Sequence, residues 1–210
     1  MKEKKLRRAV VVGSGIAGPV VGAFLRRVGF EVVLCEARPK ASTDEGAFLG
    51  VAPNGMNVLG ELGVRGTVEA ISIPCSAFEF QNADGRRVGG IDRGADASRF
   101  GARLQMVKRA RLHEVLTAAA VEQGVDVRFD RKLVGLDRSH PSRVGVRFAD
   151  GSAEEGDLLV GSDGIRSMTR WLALPGSPEP AYTGLIDVGG FAAVPEAPLS
   201  VGVNVMVFGR

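Results

Sequence analysis

The sequence contains only two cysteines and two histidines, and this scarcity excludes several kinds of site. Cys35 and Cys75 form no CxxC pair, and two thiols are too few for a metal cage, so no metal site is predicted. Cys35 lies in an apolar run and is predicted to be a small core residue. His113 and His140 lack a partner arrangement that indicates catalysis. Free thiols are typical of a reducing compartment, which makes a cytoplasmic setting the default expectation.

The chain also lacks a strong charge of one sign and a long uninterrupted apolar run. Its net charge is +3 and its basic residues are scattered, with one cluster at Lys2–Arg8. We predict a solvated terminal arm there and no nucleic-acid surface. The uncharged stretch Ala9–Leu25 that follows is broken by four glycines and a proline. It therefore predicts neither a secretory signal nor a membrane helix.

What the sequence does contain is the pattern of a βαβ unit. With 210 residues, 45% of them hydrophobic, the chain can form one large domain or two small ones. A β-branched run at Ala9–Val12 predicts a strand buried on both faces. Glycines then lead into a helix that ends near Val28, with Gly29 just beyond it. Glu31–Cys35 predicts a second buried strand, parallel to the first through a right-handed crossover.

The rest of the chain shows both helical and strand patterns. Helices are predicted at Pro53–Leu62 and Val107–Gln123. Phe78 and Phe80 alternate with polar residues before an Asp84-Gly85 turn, which indicates antiparallel strands of a second domain. Strands at Val125–Phe129, Leu133–Leu136 and Val144–Phe148 are predicted to form an antiparallel meander, with a turn at Asp150-Gly151. A buried strand at Leu158–Val160 follows, and two more strands are predicted at Phe191–Val194 and Val201–Phe208.

A glycine motif stands between the first strand and the first helix. The run Gly13-Ser14-Gly15-Ile16-Ala17-Gly18 matches GxGxxG in the context in which this motif binds a dinucleotide. The first glycine permits a tight turn, the second lets the backbone approach a pyrophosphate, and the third allows helix and strand to pack closely. The helix N-terminus adds N–H groups and the positive end of a dipole. We therefore predict a pyrophosphate-binding loop.

Glu36 is predicted to bind the ribose of the same ligand. It lies 18 residues beyond Gly18, at the end of the second strand, where a carboxylate can accept hydrogen bonds from both ribose hydroxyls. A 2′-phosphate would be repelled, so NADP is not expected in this site, whereas FAD and NAD stay equally compatible. Arg38 either stacks on the adenine or faces solvent, and the sequence leaves both possibilities open.

Four collinear segments carry a resemblance to a known family. They are GSGIAGPVVG at 13–22 followed by Glu36-Ala37-Arg38, GAFLGVAPNGMNVLGELG at 46–63, VKRARLHEVL at 107–116, and GDLLVGSDGIRSMTR at 156–170. In this order they resemble the single-component FAD-dependent aromatic hydroxylases, the class A flavoprotein monooxygenases of the p-hydroxybenzoate hydroxylase type. The resemblance covers nearly the whole chain.

The resemblance implies how FAD would lie along the chain. The glycine motif would hold the pyrophosphate, and the segment Glu36-Ala37-Arg38 would hold the adenosine through the ribose contact of Glu36. Gly50 would pass close to the cofactor, and Arg109 would reach its phosphate or ribityl region. Leu133 would meet the adenine through its backbone. A solvated helix residue stays the alternative for Arg109.

Asp163-Gly164 matches the DG motif that the family associates with FAD and with NADH or NADPH, the transient electron donor. Ser167 and Arg170 complete that signature. A helix N-cap is the alternative for Asp163, and the two roles are compatible. No single catalytic side chain is common to the family, so none is assigned.

The resemblance implies an α/β fold with two domains. A Rossmann-like FAD-binding domain, a parallel sheet with an antiparallel β-meander, would occupy 1–70 and 104–172. Part of an antiparallel-sheet substrate domain would occupy 71–103 and 173–210. The implied activity is that of an oxidoreductase: NAD(P)H reduces the flavin, and one oxygen atom of O2 goes to an aromatic or polycyclic small molecule.

The chain departs from the family in its length. Family members are much longer and have a second Gly-Asp segment, which nothing after Gly164 matches. We therefore expect a truncated chain, or one whose fold a second chain completes, with an unpaired edge on the substrate sheet. The alternatives are a non-catalytic truncated FAD- or ADP-ribose-binding protein, a subunit of a split flavoenzyme, and an NAD- or flavin-linked reductase of the same fold.

Overall fold

The computed structural model describes residues 7–39, 47–186, 188–190 and 200–209. Its elements, in chain order, are β1 (Arg7–Val12), α1 (Ala17–Arg27), β2 (Phe30–Cys35), β3 (Phe48–Val51), α2 (Pro53–Leu62), α3 (Arg65–Ala70), β4 (Ser72–Pro74), β5 (Ala77–Asn82), β6 (Arg87–Asp92), α4 (Asp96–Phe100), β7 (Gln105–Lys108), α5 (Arg109–Glu122), β8 (Asp126–Arg128), β9 (Leu133–Asp137), β10 (Val144–Phe148), β11 (Ala153–Gly156), β12 (Leu158–Gly161), α6 (Met168–Ala173) and β13 (Val203–Phe208).

These elements form two compact units, each made of two chain segments. The first unit is Met1–Thr43 with Leu116–Asp187, and the second is Asp44–Val115 with Val188–Arg210. Helix α5 contributes residues to both units. The domain limits expected from the resemblance separate a cofactor-binding part from a substrate-binding part, whereas the two units of the structure are defined by compactness. The expected limits therefore stay a prediction.

The first unit is built on a four-stranded parallel sheet in the order β12-β1-β2-β8. Strand β1 pairs with β2, with Val12 opposite Cys35, and with β12, with Val12 opposite Gly161. The βαβ unit predicted from the sequence is thereby confirmed. Because the strands are parallel, the segments that follow β1, β2 and β12 leave the sheet at the same edge, where ligands of α/β sheets usually bind.

An antiparallel meander, in the order β11-β10-β9, packs against this sheet through one apolar cluster. The buried members of the cluster come from both sheets, and they are Val10, Val12, Val33, Cys35, Leu133, Val146 and Phe148. Burial of apolar side chains of this size stabilises a fold by about 1.5–3 kcal/mol each. The cluster therefore fixes the meander on the parallel sheet.

A charged network ties the meander to the edge of the parallel sheet. The carboxylate of Glu154, of which 9% of the side chain is exposed, accepts a hydrogen bond from Arg8 Nη2 at 2.8 Å and also pairs with Arg128. The backbone N–H of Arg8 donates to Asp157 Oδ2 at 2.7 Å. Loss of one partner of such a pair leaves a poorly solvated charge, so the network resists separation of the two sheets.

The second unit contains two three-stranded sheets, in the orders β3-β7-β4 and β13-β5-β6. The hairpin predicted around Asp84-Gly85 is confirmed as the antiparallel pair β5 and β6. Strand β13 pairs with β5 in parallel, with Met206 opposite Phe80, so this sheet is mixed. The ring of Phe80 meets that of Phe208 edge to face, with centroids 6.0 Å apart, a favourable geometry for an aromatic pair.

Helix α2 has the bounds predicted from the sequence. Pro53 occupies its first turn, where a missing N–H costs nothing, and the helix ends at Gly63 with φ +88°. Its buried face consists of Pro53, Met56, Leu59 and Leu62. None of the helices in the described part of the chain combines the length and the apolar character needed to cross a membrane.

Three strand assignments differ from the sequence pattern. Val107 and Lys108, predicted to open a helix, belong to β7, because that strand pairs with β3 and β4 on both sides. The strand predicted at Val125–Phe129 joins the parallel sheet as β8, next to β2. Strand β12, predicted to be buried, is only half-buried, because it is the edge strand of the sheet that the described residues form.

Other elements were not predicted, and two predictions fall outside the described residues. The sequence pattern did not indicate β3, β4, α3, α4 or β11. The strand predicted at Phe191–Val194 lies outside the described residues, as do the first five residues of the basic cluster Lys2–Arg8. The strand predicted at Val201–Phe208 is confirmed as β13, beginning two residues later.

Cys35 is expected to be chemically inert in the folded protein. It is fully buried in β2, and burial, with a further contribution from the charge of Glu154, raises its pKa to about 12. The thiolate is the reactive form of cysteine. In a Cys75→Ser variant, a disulfide reagent should therefore label Cys35 only in denaturant. Labelling of the folded variant as fast as that of a free thiol would contradict this.

Candidate functional site

The glycine-rich loop joins β1 to α1 at the carboxyl edge of the parallel sheet. Gly13 has φ +99°, and a Cβ on it would lie 2.5 Å from the carbonyl oxygen of Ser162. A Cβ on Gly18 would lie 2.0 Å from the carbonyl oxygen of Gly13. Neither position can hold a side chain without a shift of the backbone. Gly13 and Gly18 are therefore glycines because the loop packs against itself and against the end of β12.

Gly15 differs from the other two glycines of the motif. A Cβ on Gly15 would meet no heavy atom within 4 Å, and its backbone lies outside the left-handed region. The fold of the described residues therefore imposes no need for glycine at this position. The open space lies just before the first turn of α1. The N-cap residue of this helix, Ile16, makes no side-chain capping hydrogen bond. N–H groups of a first helical turn have no intrahelical partner and attract anions.

Glu36 closes one side of this loop. Only 9% of the residue is exposed, and its Oε2 accepts a hydrogen bond from the Ser14 N–H at 2.7 Å. Its Oε1 accepts from the backbone N–H and the Nε of Arg38, at 3.0 and 3.2 Å. Burial alone would raise the pKa of Glu36, but these hydrogen bonds and the charge of Arg38 outweigh it and lower the pKa. Glu36 is thus held as a carboxylate at the tip of β2.

Arg38 faces solvent and pairs with Glu36. Its side chain is 57% exposed, and its Nε lies 3.2 Å from Glu36 Oε1. Ala37, between them, is exposed. The backbone carbonyls of Glu36 and Arg38 accept hydrogen bonds from the N–H groups of Arg131 and Asp130. The segment Glu36-Ala37-Arg38 is therefore fixed against the chain that follows β8.

Asp163 and Gly164 form the turn that follows β12. The carboxylate of Asp163 accepts hydrogen bonds from the Ser167 hydroxyl at 2.5 Å and from the N–H and hydroxyl of Thr169 at 2.9 and 3.0 Å. The N-cap of α6 is Ser167, whose Oγ accepts from the Arg170 N–H at 2.9 Å. Gly164 has φ +83°, which a glycine adopts without strain. The N-cap of α6 is thus Ser167 and not Asp163. Asp163 instead fixes the start of the helix through its bonds to Ser167 and Thr169.

Leu133 lies in the same unit as the loop. It opens β9 opposite Phe148, and its side chain is buried in the apolar cluster beneath the meander. Only its backbone is therefore left for a contact with a ligand. The predicted adenine contact through that backbone is compatible with this placement and stays a prediction.

Gly50 and Arg109 belong to the second unit. Gly50 lies in β3 opposite Met106, and a Cβ on it would touch Leu104 and Met106 at 3.4 Å, an ordinary contact distance. Arg109 opens α5 with an exposed side chain, and its N–H donates to the carbonyl of Ala47 at 3.3 Å. Their predicted roles toward a cofactor stay predictions.

Two residues of this region were not singled out from the sequence. The hydroxyl of Ser162 lies 2.8 Å from the carbonyl oxygen of Gly13, a residue 149 positions away. Thr169 binds Asp163 through its N–H and its hydroxyl. For Ser162, the sequence signal was its position between an apolar strand and the Asp163-Gly164 turn. That position does not show which residue Ser162 would bind.

Sequence comparison finds a family and relatives that match most of this chain. A family model described as FAD binding domain matches residues 7–196. The chain is 36% identical over 165 residues to the 3-amino-4-hydroxybenzoate 2-monooxygenase PtnB3 of Streptomyces platensis, a match of 78% of this chain and 41% of that protein. It is 31% identical over 166 residues to the FAD-dependent monooxygenase dpchE of Colletotrichum higginsianum, again 78% of this chain but 35% of the relative.

Solved structures share the fold. HpxO of Klebsiella pneumoniae, crystallised with FAD and uric acid, is 27% identical with a TM-score of 0.69, over 79% of this chain and 42% of its own. The p-nitrophenol 4-monooxygenase PnpA of Pseudomonas putida is 19% identical with a TM-score of 0.73, over 80% of this chain and 44% of its own. The chain thus spans well under half the length of these relatives.

A Glu36→Gln variant should lose a pH-dependent part of the stability. Because the folded pKa of Glu36 is lowered from its ordinary value of 4.5, its stabilisation is fully present above that value and is lost as pH falls through the folded pKa. The variant should be less stable than the parent by about 1–3 kcal/mol at pH 7. The difference, measured by urea unfolding, should shrink toward pH 3.

The matched control is Glu155→Gln, which removes an exposed carboxylate paired with Arg143 in the same unit. Such surface pairs contribute about 0–1 kcal/mol, so its effect should be small. An equal difference between parent and Glu36→Gln at pH 7 and at pH 3 would refute the role given to the Glu36 carboxylate.

Proposed function

The chain belongs to the FAD binding domain family of the flavoprotein monooxygenases, and we propose that it binds the ADP half of FAD as the N-terminal part of an FAD-dependent monooxygenase. The observation that carries the proposal is the open space at Gly15, beside a loop whose other glycines are explained by packing. FAD carries a pyrophosphate that fits such a helix N-terminus. Family membership and the shared fold support the same ligand.

Residues of the first unit that follow the strands at the carboxyl edge of the sheet are matched to successive parts of FAD. Residues 13–18 would hold the pyrophosphate, and the carboxylate of Glu36, which can accept further hydrogen bonds, would bind the ribose hydroxyls. Arg38 would cover the adenosine side, with the backbone of Leu133 near the adenine. Asp163-Gly164 would border the same edge. The contacts expected of Gly50 with the cofactor, and of Arg109 with its phosphate or ribityl region, rest on the family resemblance.

When bound, the flavin supplies the redox chemistry, taking electrons from NADH or NADPH and passing one oxygen atom of O2 to a substrate. The chain itself binds, orients and shields this cofactor. The relative named for 3-amino-4-hydroxybenzoate supports an aromatic small molecule as substrate. We propose that 71–103 and 173–210, which include the mixed sheet β13-β5-β6, supply part of the substrate-binding region.

The carboxylate of Glu36 disfavours a 2′-phosphate on any nucleotide in this loop. NADP is therefore not proposed as its resident ligand, while the choice between NADH and NADPH as electron donor involves other contacts. A cytoplasmic setting remains part of the proposal, since two buried free thiols are compatible with a reducing compartment.

The first test is the binding of FAD itself. The purified chain, mixed with FAD and passed through a desalting column, should retain yellow flavin absorbance, and ADP-ribose should compete for the site. A longer protein that contains this chain should then oxidise NADH or NADPH faster in the presence of an aromatic substrate. A chain that binds neither FAD nor ADP-ribose would refute the proposal, and binding without turnover in the longer protein would leave a non-catalytic binding protein.

The second test substitutes Gly15 by alanine. Because no atom of the described chain occupies the space of that Cβ, the free energy of unfolding should change by less than about 0.5 kcal/mol. The added methyl lies where a pyrophosphate would approach the backbone, so the Kd for FAD should rise by roughly tenfold or more. Urea unfolding and fluorescence titration of FAD measure the two quantities.

Gly66→Ala is the matched control, because Gly66 lies in α3 and a Cβ there also meets nothing within 4 Å. It should leave the Kd unchanged. Gly18→Ala is the opposite case, since its Cβ would lie 2.0 Å from a backbone oxygen and should destabilise the fold. Unchanged FAD affinity in Gly15→Ala would show that the ligand does not use this loop as proposed.

A further inference from the structure

The hydroxyl of Ser162 lies where the end of β12 meets the end of β1. Ser162 follows β12 directly, and its backbone N–H donates to the carbonyl of Val12 at 2.7 Å. Its Oγ lies 2.9 Å from the Val12 carbonyl oxygen and 2.8 Å from that of Gly13. A serine hydroxyl has one hydrogen, which the two carbonyls share. The side chain thus reaches past the strand pair to the first glycine of the loop.

The peptide group between Gly13 and Ser14 is held from both of its sides. In a planar trans peptide the C=O and the N–H point in opposite directions. The C=O of Gly13 accepts from Ser162, and the N–H of Ser14 donates to Glu36 Oε2 at 2.7 Å. Both holding groups come from strands that flank β1. The peptide plane therefore cannot rotate without breaking one of these bonds.

We propose that Ser162 is a positioning residue for the glycine-rich loop, which it holds in the shape that receives the phosphate groups of a nucleoside diphosphate. The proposal rests on the proposed function, because it concerns the same loop. Rotation of the Gly13–Ser14 plane would redirect the N–H groups that follow, at Gly15 and at the start of α1. With Ser162 in place, the loop is ordered before the ligand arrives, which lowers the cost of binding.

Ser162 also joins two parts of the site that are distant in sequence. The residue after it, Asp163, fixes the turn into α6 through Ser167 and Thr169. A Cβ on Gly18 would lie 3.0 Å from Ser162 Oγ and 2.0 Å from the Gly13 carbonyl oxygen. The hydroxyl therefore occupies the junction of loop, helix α1 and Asp163 turn. A displacement of that turn would reach the loop through this side chain as well as through the main chain of Ser162, which packs against Gly13.

The test compares binding of ADP and of adenosine to the purified chain by isothermal titration. Ser162→Ala removes the hydroxyl and should raise the Kd for ADP by about fivefold to tenfold, the loss expected for one hydrogen bond. The Kd for adenosine, which lacks the phosphates, should stay within about twofold. Ser162→Thr keeps a hydroxyl on the same Cβ at this half-buried position, so it should recover most of the ADP affinity.

Ser152→Ala is the matched control, because it also removes a hydroxyl that donates a hydrogen bond, to Asp150 at 2.6 Å, in a turn of the same unit. It should leave both Kd values unchanged. Amide hydrogen exchange of the ligand-free chain gives an independent measure. The amide of Ser14 should exchange faster in Ser162→Ala than in the parent or in Ser152→Ala, because its peptide plane has lost one of its two holding bonds.

Three results would overturn the proposal. They are an unchanged ADP affinity in Ser162→Ala, an equal loss of ADP and adenosine affinity, and a Ser162→Thr variant as weak as Ser162→Ala. A parent chain that binds neither ADP nor FAD would instead refute the proposed function. In that case unchanged amide exchange at Ser14 would also overturn the role of Ser162, whereas faster exchange in Ser162→Ala would support its hold on the loop.

Discussion

The close approach of three backbone segments is the constraint on which the site depends. The end of β1, the end of β12 and the first turn of α1 meet so tightly that a Cβ on Gly13 or Gly18 would lie 2.5 or 2.0 Å from a backbone oxygen. No rotamer relieves a contact of that kind, because the main chain fixes the position of Cβ and the oxygen it meets is itself a main-chain atom. The glycines let α1 begin directly above the sheet edge, and this places the helix N-terminus beside the tip of β2.

Much of the fold follows from local patterns, and the exceptions share one cause. The βαβ unit, α2 and the β5–β6 hairpin depend on glycine, proline and hydrophobic period, all of which are visible in a short window of sequence. Val107–Lys108 was assigned to a helix, and the strand β8 to the meander, because pairing partners distant in sequence decide both placements: β7 lies between two strands of its sheet, and β8 pairs with β2. The parallel pairing of β13 with β5 joins residues more than 120 positions apart, which no short window reveals.

The same division applies to the site. The glycine motif and Glu36 could be predicted, because their spacing within one βαβ unit sets their geometry. The hydrogen bonds of Ser162 could not, since its partner Gly13 becomes a neighbour only when β12 pairs with β1. The role of Glu36 as a ligand for ribose stays a prediction, whereas its bonds to Ser14 and Arg38 are a role that the spacing did not indicate.

Both carboxylates of the site are already engaged by the chain itself. Glu36 accepts from Ser14 and Arg38, and Asp163 accepts from Ser167 and Thr169. A ribose hydroxyl bound at Glu36 would exchange a hydrogen bond with water for one with a carboxylate that the chain already engages, and such an exchange contributes little net affinity. The larger contribution of these acids is to order the loop and the turn in advance. Under the proposed function, affinity for a dinucleotide would then depend mainly on backbone N–H groups whose directions Glu36 and Ser162 fix.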